Sequence, residues 1–185
     1  ADLKGQEARF ARVAGPGALR AALAGADICV GVSGADLLSA DDIALMAPRP
    51  VVFACSNPDP EIDPVLARSV RDDLIIGTGR SDYPNQVNNV LCFPFLFRGA
   101  LDVRASRINI EMKKAAVEAL RQVAKEPVPA EVLAAADVSE LSFGPEYVIP
   151  KPMDPRLLPR VARAVALAAV ASGVARIALS DNYML

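Results

Sequence analysis

The sequence predicts an α/β fold with a parallel sheet at its centre, because three short apolar runs alternate with helical patterns. The runs cover residues 28–32, 51–55 and 74–77 and recur at an even spacing. Each run is continuously apolar, as expected of a strand that is buried on both faces of its sheet. Strands that alternate with helices pair in parallel through right-handed crossovers.

Capping residues predict the helices around these strands. Ser39 is predicted as the N-cap of a short helix. Residues 40–42 form its acidic first turn, residues 43–47 continue it, and Pro48 ends it. Asp63-Pro64 opens the next helix as an N-cap followed by proline in the first turn. A helix over about 17–26 leads into the first apolar run, whereas residues 1–14 contain no strand-like run. We therefore expect the chain to enter a strand–helix series after its first strand.

Downstream of the third run the pattern changes from alternation to helices. Helical spacing of apolar residues predicts helices over about 85–98, 106–124, 130–136 and 154–171, with a short strand at 147–149. The last helix is rich in alanine and valine and carries little polarity. Its composition predicts burial against another part of the protein.

The composition bounds the class of protein. The chain has 185 residues, of which 52% are hydrophobic and 23% charged, as in a globular domain. The net charge of -2 offers no basic field for phosphate backbones, so we expect no nucleic-acid partner. No apolar run approaches the roughly 18 to 20 residues of a membrane helix. We expect a cytoplasmic protein without a membrane partner that binds a small molecule.

The sequence contains no histidine, which excludes histidine as a general base, as a triad member and as a metal ligand. Acid–base chemistry would have to come from lysine, tyrosine or carboxylates, or from residues outside this chain. The three cysteines, Cys29, Cys55 and Cys92, show no CxxC spacing. We predict that they are reduced thiols with a packing role.

The loops after the three apolar runs are polar and should meet at one edge, since the carboxyl ends of parallel strands lie together. They cover residues 33–36, 56–60 and 78–82. Residues of this kind also form ordinary turns, but three converging loops favour a ligand site. The nearest approach to a GxGxxG phosphate loop, at 77–82, places Asp82 where it would repel pyrophosphate. No Walker, HExxH or GxSxG motif occurs.

Asn88 and Asn89 open an otherwise apolar segment. An amide that loses a hydrogen bond on burial costs about 1 to 3 kcal/mol, and a ligand could supply the partner. Helix capping explains one of the two asparagines well but not both.

Four segments closely resemble the bacterial malic enzymes, namely 56–58, 78–89, 93–104 and 144–156. The resemblance covers the chain from about residue 8 to about residue 177. It implies a partial Rossmann-like parallel sheet, with residues 1–185 as the downstream part of the NAD(P)-binding domain. The helices after about residue 104 would pack on an N-terminal domain outside this chain. The family oxidatively decarboxylates malate to pyruvate and carbon dioxide, reducing NAD or NADP with help from a divalent metal, Mg or Mn.

The resemblance also implies which residues contact ligands. Asn57 matches an asparagine between the nicotinamide ribose and the substrate, and Asn89 matches one that donates to a malate carboxylate. Asn88 would lie beside the nicotinamide end of the cofactor, and Ser33 and Gly34 would line the dinucleotide. Amides suit these positions because they donate to carboxylate and carbonyl oxygens without adding charge.

The family's catalytic lysine and tyrosine, its metal-binding carboxylates and its phosphate loop all lie upstream of the matched segments. We therefore assign no catalytic residue and no metal ligand to this chain. Lys151 and Tyr83 are interpreted as structural, and Asp59 and Asp82 as caps or solvated groups.

Two classes of function remain open. In the first, the chain is part of a malic enzyme and is inactive alone, with malate or pyruvate and the missing N-terminal domain as partners. In the second, it is a non-catalytic Rossmann-like binding or assembly module. A generic α/β domain is a third alternative. The first strand would normally pair with an upstream strand, so we also expect self-association and a homo-oligomer.

Overall fold

A computed structural model describes residues 18–183. Strands and helices alternate in its first half, and helices alone make up the second half. The strands are β1 (Ile28–Gly31), β2 (Val51–Ala54) and β3 (Ile75–Thr78). The helices are α1 (Ala18–Leu23), α2 (Ala40–Ala44), α3 (Pro64–Val70), α4 (Phe93–Asp102), α5 (Ile110–Lys125), α6 (Ala130–Ala135) and α7 (Leu157–Ala171), with a 3-10 helix at Asn89–Leu91.

The three strands form a parallel sheet in the order β1-β2-β3, which confirms the predicted α/β fold. Ile28 pairs with Val51, and Val51 pairs with Ile75, so the strands start in register. Val52, Ala54 and Ile76 anchor the apolar cluster on this layer. The prediction that all three strands are buried on both faces is wrong for β1 within the described residues, because Ile28 is 64% exposed and Val30 is 62% exposed.

The predicted caps of the two crossover helices are confirmed. The backbone N–H of Asp42 donates to Oγ of Ser39 (3.2 Å), and the N–H of Ser39 donates to the Asp42 carboxylate (3.0 Å). This reciprocal pair is a capping box. At α3, Oδ1 of Asp63 accepts from the N–H groups of Val65 (2.7 Å) and Leu66 (3.3 Å).

Three sequence-based boundaries are wrong. The helix predicted from Asn85 begins at Phe93, because Asn85 lies in the left-handed region (φ 57°) and buries its side chain. The strand predicted at 147–149 is absent, and Tyr147 pairs only with Gly144 in an isolated bridge. The final helix begins at Leu157, two residues after the predicted start, although the Asp154 carboxylate accepts from the backbone N–H of Arg156 (3.0 Å) as a capping residue does.

A second apolar cluster holds α4, α5 and α7 together. It includes Met112, Ala116, Val161 and Val165, all at most 1% exposed. The small residues of α7 therefore bury one face inside this chain. Its outer face keeps Leu167 at 48% exposure, so packing of these helices on a further domain remains a prediction.

No helix within residues 18–183 is both long enough and apolar enough to cross a membrane.

The crossing of α4 and α7 depends on Gly99. A Cβ added there would lie 2.3 Å from the carbonyl oxygen of Ala162 and 2.9 Å from Cβ of Val165. These contacts are with backbone and a packed side chain, which cannot yield without moving α7.

We expect Gly99→Ala to lower the free energy of unfolding by about 1–3 kcal/mol, because overpacking outweighs the higher helix propensity of alanine. Urea unfolding measures the loss. Leu101→Ala is the control, since Leu101 lies in the same helix but is 70% exposed, and its change should stay within about 0.5 kcal/mol. Equal losses in the two variants would contradict the proposed close packing.

Candidate cofactor and substrate site

The loops after β1, β2 and β3 meet at the carboxyl edge of the sheet, as their order predicts. The N–H of Asp36 donates to the carbonyl oxygen of Pro60 (3.1 Å), and the N–H of Leu38 donates to that of Glu61 (2.9 Å). These bonds join the first loop to the second. The third loop approaches closely as well, since a Cβ on Gly79 would lie 3.0 Å from Oδ1 of Asn57.

Glu61 fixes the ends of β1 and β2 together. The Glu61 side chain is buried, with 2% of the residue exposed. Its Oε1 accepts from the backbone N–H of Ser33 (3.0 Å) and from Oγ of Ser56 (2.5 Å), and its Oε2 accepts from the N–H of Ser56 (3.2 Å). One carboxylate therefore sets the spacing between two of the predicted site loops.

Gly31 makes room for this carboxylate. A Cβ at Gly31 would lie 2.4 Å from Cδ of Glu61, so a side chain at the last position of β1 would displace it. Burial raises the pKa of Glu61, but the hydrogen bonds from Ser56 and Ser33 outweigh burial and hold the pKa below its ordinary value. Glu61 is therefore an anion at neutral pH.

All three cysteines are free and only partly buried. Burial, reinforced by the Glu61 anion, raises the pKa of the Cys29 and Cys55 thiols. Burial also raises the pKa of Cys92. A thiol with a raised pKa is a poor nucleophile at neutral pH, which fits a packing role.

Asn57 stands exposed at the centre of the edge. Its Nδ2 lies 3.5 Å from the carbonyl oxygen of Cys55, a long contact that leaves most of the amide available. Ser33 and Gly34 flank it from the β1 loop, and the Ser33 side chain is exposed. Ser33, Gly34 and Asn57 thus lie on neighbouring loops, joined through Glu61 and the backbone bonds of the second loop.

An ion-pair network covers the outer side of the third loop. Arg80 binds Asp82 through two hydrogen bonds (2.9 and 2.6 Å) and lies 3.8 Å from Asp59. Tyr83 donates through its hydroxyl to Asp63 (3.0 Å), next to the start of α3. Asp59, Asp82 and Tyr83 therefore have partners within the protein. Among residues 18–183, no group of three or more cysteine or carboxylate side chains is placed to hold a metal ion.

The asparagines of the 85–89 segment have three different environments. Asn85 is 2% exposed, and its Nδ2 donates to the carbonyl oxygens of Ile76 (3.1 Å) and Pro145 (2.7 Å). Its Oδ1 accepts from the N–H of Val148 (2.8 Å). Asn85 is thus a fully bonded link between β3 and the 145–148 segment.

Asn88 and Asn89 are exposed. Oδ1 of Asn88 accepts from the N–H of Val90 (2.9 Å) and caps the 3-10 helix, which leaves its Nδ2 available. Within residues 18–183 the Asn89 side chain makes no hydrogen bond to the protein, so its amide is open to a ligand. Helix capping therefore accounts for Asn88 and leaves Asn89 without a structural role, as the sequence suggested.

Lys151 lies beside this segment. With Ser81, Gln86 and Met153 it lines an open cleft of about 340 Å³ next to the third loop. Gln86 links the cleft to the sheet edge, because its Nε2 donates to the carbonyl oxygen of Gly79 (3.3 Å).

Sequence reasoning missed two residues that organise this edge, Glu61 and Asn85. The signals were present in the sequence. A glycine ends β1, which indicates close approach of another group, and asparagine at position 85 is one of the few non-glycine residues that tolerate the left-handed region.

We expect Asn85→Ala to lower the free energy of unfolding by about 3 kcal/mol, because three buried backbone groups lose their partner and alanine disfavours a positive φ. Urea unfolding measures the loss. Asp137→Ala is the matched control, since Asp137 has a similar φ of 53° but is exposed. Its loss should stay near the conformational cost of about 1 kcal/mol, and an equal loss in both variants would refute a role for the amide bonds.

Comparison with known proteins agrees with this geometry. Residues 21–143 match the family described as malic enzyme, NAD binding domain. The NADP-dependent malic enzyme of Halomonas elongata is 59% identical over 184 residues, covering 100% of this chain and 44% of that protein. The NADP-dependent malic enzyme of Escherichia coli is 57% identical over 157 residues, covering 85% of this chain and 21% of that protein.

Solved structures give the same result. The crystal structure of malic enzyme from Pyrococcus horikoshii superposes with a TM-score of 0.76 at 38% identity, covering 91% of this chain and 35% of that one. The chain spans less than half the length of each of these relatives. This chain therefore belongs to the malic enzyme family, in the part that matches its NAD-binding domain.

Proposed function

We propose that this chain is the downstream part of the NAD(P)-binding domain of a malic enzyme, one that oxidatively decarboxylates malate to pyruvate and carbon dioxide. The observation that carries the proposal is the meeting of three loops at one sheet edge, with the exposed amide of Asn57 on the middle loop and those of Asn88 and Asn89 on the segment after the third. Within the family, this edge would form one wall of an active site. The chain would be inactive alone.

The residues at the edge fit a nicotinamide cofactor, NAD or NADP. The edge is open, and Gly34 and Gly79 leave the backbone accessible beside Asn57. Ser33, Gly34, Asn57 and Asn88 would hold the cofactor, which supplies the hydride acceptor when bound. The chain's own groups would orient the ring and exclude water on one side, since amides bind carboxamide and ribose oxygens without charge.

Asn57 and Asn89 would bind the substrate. Malate carries two carboxylates and a hydroxyl, and an amide N–H donates to such oxygens in a charge-assisted hydrogen bond. A neutral donor holds the carboxylate that departs as carbon dioxide less tightly than a cation would. Asn57, which lies between the other site loops, would contact both malate and the cofactor and so fix their relative orientation.

The described residues do not fit a divalent metal. Glu61 is buried and accepts three hydrogen bonds, Asp59 and Asp82 face Arg80, and no group of three cysteine or carboxylate side chains within residues 18–183 is placed to hold a metal ion. Hard cations such as Mg or Mn need several free oxygen ligands. We infer that a metal in the complete enzyme is held by residues outside this chain, as are the acid and the base.

The remaining expectations concern partners and location. The apolar side chains of Ile28 and Val30 are exposed on one face of β1, where another part of the protein would cover them. We propose that the other domain of the same polypeptide is the partner, that the enzyme is a homo-oligomer, and that it acts in the cytoplasm on malate and pyruvate.

The isolated 185-residue chain should produce no reduced nicotinamide when mixed with malate, a divalent metal and NAD or NADP, because the acid, the base and the metal ligands are absent from it. Absorbance at the wavelength of the reduced nicotinamide measures turnover. The full-length gene product, assayed under the same conditions, is the positive control. Turnover by the chain alone would refute its assignment as an inactive part. Cofactor binding without turnover by the full-length protein would favour the binding-module alternative.

In the full-length protein, Asn89→Ala should raise KM for malate by about 10- to 100-fold, the equivalent of a lost hydrogen bond to a charged group of about 1.5–3 kcal/mol. Its KM for the cofactor should change little. Asn57→Ala should raise both KM for malate and KM for the cofactor, because Asn57 would lie between the two ligands. Steady-state kinetics measure the effects.

Asn182→Ala serves as the control for these two variants, since Asn182 is exposed in the C-terminal segment, away from the sheet edge in sequence. It should leave both constants unchanged. An unaltered KM for malate in the Asn89 variant would rule out the assigned contact.

A further inference from the structure

A buried anion lies directly behind the candidate cofactor site. Glu61 accepts from Ser33 at the end of β1 and from Ser56 at the end of β2. Ser33 adjoins Gly34, and Ser56 adjoins Asn57. One hydrogen bond of the carboxylate therefore involves Ser33, which would contact the cofactor. The other two involve Ser56, the neighbour of the proposed contact Asn57.

The geometry couples the two loops rigidly. A carboxylate has room for several hydrogen bonds, and here one oxygen bridges the two loops while the other binds Ser56 alone. The backbone of the same residue adds a third link, from Leu38. The first loop therefore cannot shift relative to Asn57 without breaking a hydrogen bond to Glu61.

The charge of this carboxylate has no cation against it in the described residues. Its partners are the N–H groups of Ser33 and Ser56 and the Ser56 hydroxyl, all of them neutral. The cation of the third loop, Arg80, is paired with Asp82 and lies near Asp59. An uncompensated charge at a buried position is poorly screened by solvent and acts over several ångströms.

We propose that Glu61 is a positioning residue that fixes the Ser33–Gly34 turn against Asn57, and that its negative charge favours the oxidised nicotinamide over the reduced one. The proposal rests on the proposed function. The oxidised ring carries a positive charge that the reduced ring lacks, so a fixed anion behind the site stabilises only the oxidised form. The bias favours binding of the hydride acceptor and release of the reduced cofactor.

Three variants of the full-length protein separate the positioning effect of the Glu61 hydrogen bonds from the effect of its negative charge. Glu61→Gln removes the charge and places an N–H donor against one of the donors that Glu61 binds. Glu61→Asp keeps the charge but shortens the reach by one methylene group. Ser56→Ala removes one hydrogen bond and leaves the carboxylate in place, and it serves as the matched control.

Two readouts are needed. Calorimetry gives Kd for the oxidised and reduced forms of NAD and NADP. Amide hydrogen exchange reports the N–H groups of Ser33 and Ser56 without any cofactor. The N–H of Cys55, which donates to Gly31 between β1 and β2, is the internal control for an intact sheet.

Glu61→Gln should weaken binding of the oxidised cofactor roughly five- to tenfold more than binding of the reduced cofactor, as expected for the loss of one poorly screened charge behind the site. Glu61→Asp should weaken both forms by a similar factor and leave their ratio unchanged. Both variants should accelerate exchange at Ser33 and Ser56 with Cys55 unaffected. Ser56→Ala should leave the ratio as in the wild type.

Equal weakening of both forms by Glu61→Gln would overturn the charge effect, and unchanged exchange at Ser33 would overturn the positioning role. A failure of the proposed cofactor site has a different signature, because the wild-type protein would then bind neither NAD nor NADP, whereas cofactor binding without turnover would count against the enzyme alone. Faster exchange at Ser33 and Ser56 in that case would still support the positioning role of Glu61.

Discussion

The hydrogen bonds accepted by the Glu61 carboxylate join the ends of β1 and β2 at the candidate site of this protein. Burying an anion costs several kcal/mol unless donors replace the lost water. Here the donors come from the ends of two different strands, so satisfying the charge also fixes the distance between them. Gly31 is required by the same arrangement, because a side chain there would occupy the space of the carboxylate. The edge is thus organised around one buried carboxylate.

That arrangement determines what the edge presents to a ligand. Two carboxylates beside it have partners, Glu61 inside the protein and Asp82 with Arg80 at the surface, whereas Asp36 of the first loop is exposed. The exposed amides of Asn57, Asn88 and Asn89 are also available to a ligand. Such amides suit anionic and polar oxygens, as the proposed ligand contacts require. This chemistry agrees with membership of the malic enzyme family.

The sheet and the helical layer have separate apolar clusters, and polar contacts join them. Asn85 binds β3 on one side and the 145–148 segment on the other, while Arg68 and Glu146 pair at the surface (2.5 Å). Asn88 and Asn89 follow Asn85 after only two intervening residues. The buried amide therefore sets where the exposed amides stand relative to the sheet, so a structural link also positions the candidate substrate contact.

The sequence by itself determined the parallel sheet, the caps at Ser39 and Asp63 and the convergence of three polar loops, because these depend on local patterns and on the rule that parallel strands share one edge. Tertiary structure alone decided that Asn85 is a buried link rather than the start of a helix, that no strand forms at 147–149, and that Glu61 joins β1 to β2. Each of these depends on a hydrogen-bond partner distant in the chain or on space left by a glycine, which no local propensity encodes. A short apolar run or a single glutamate looks the same in the sequence whether or not such a partner exists, and only the folded chain brings the partner within reach.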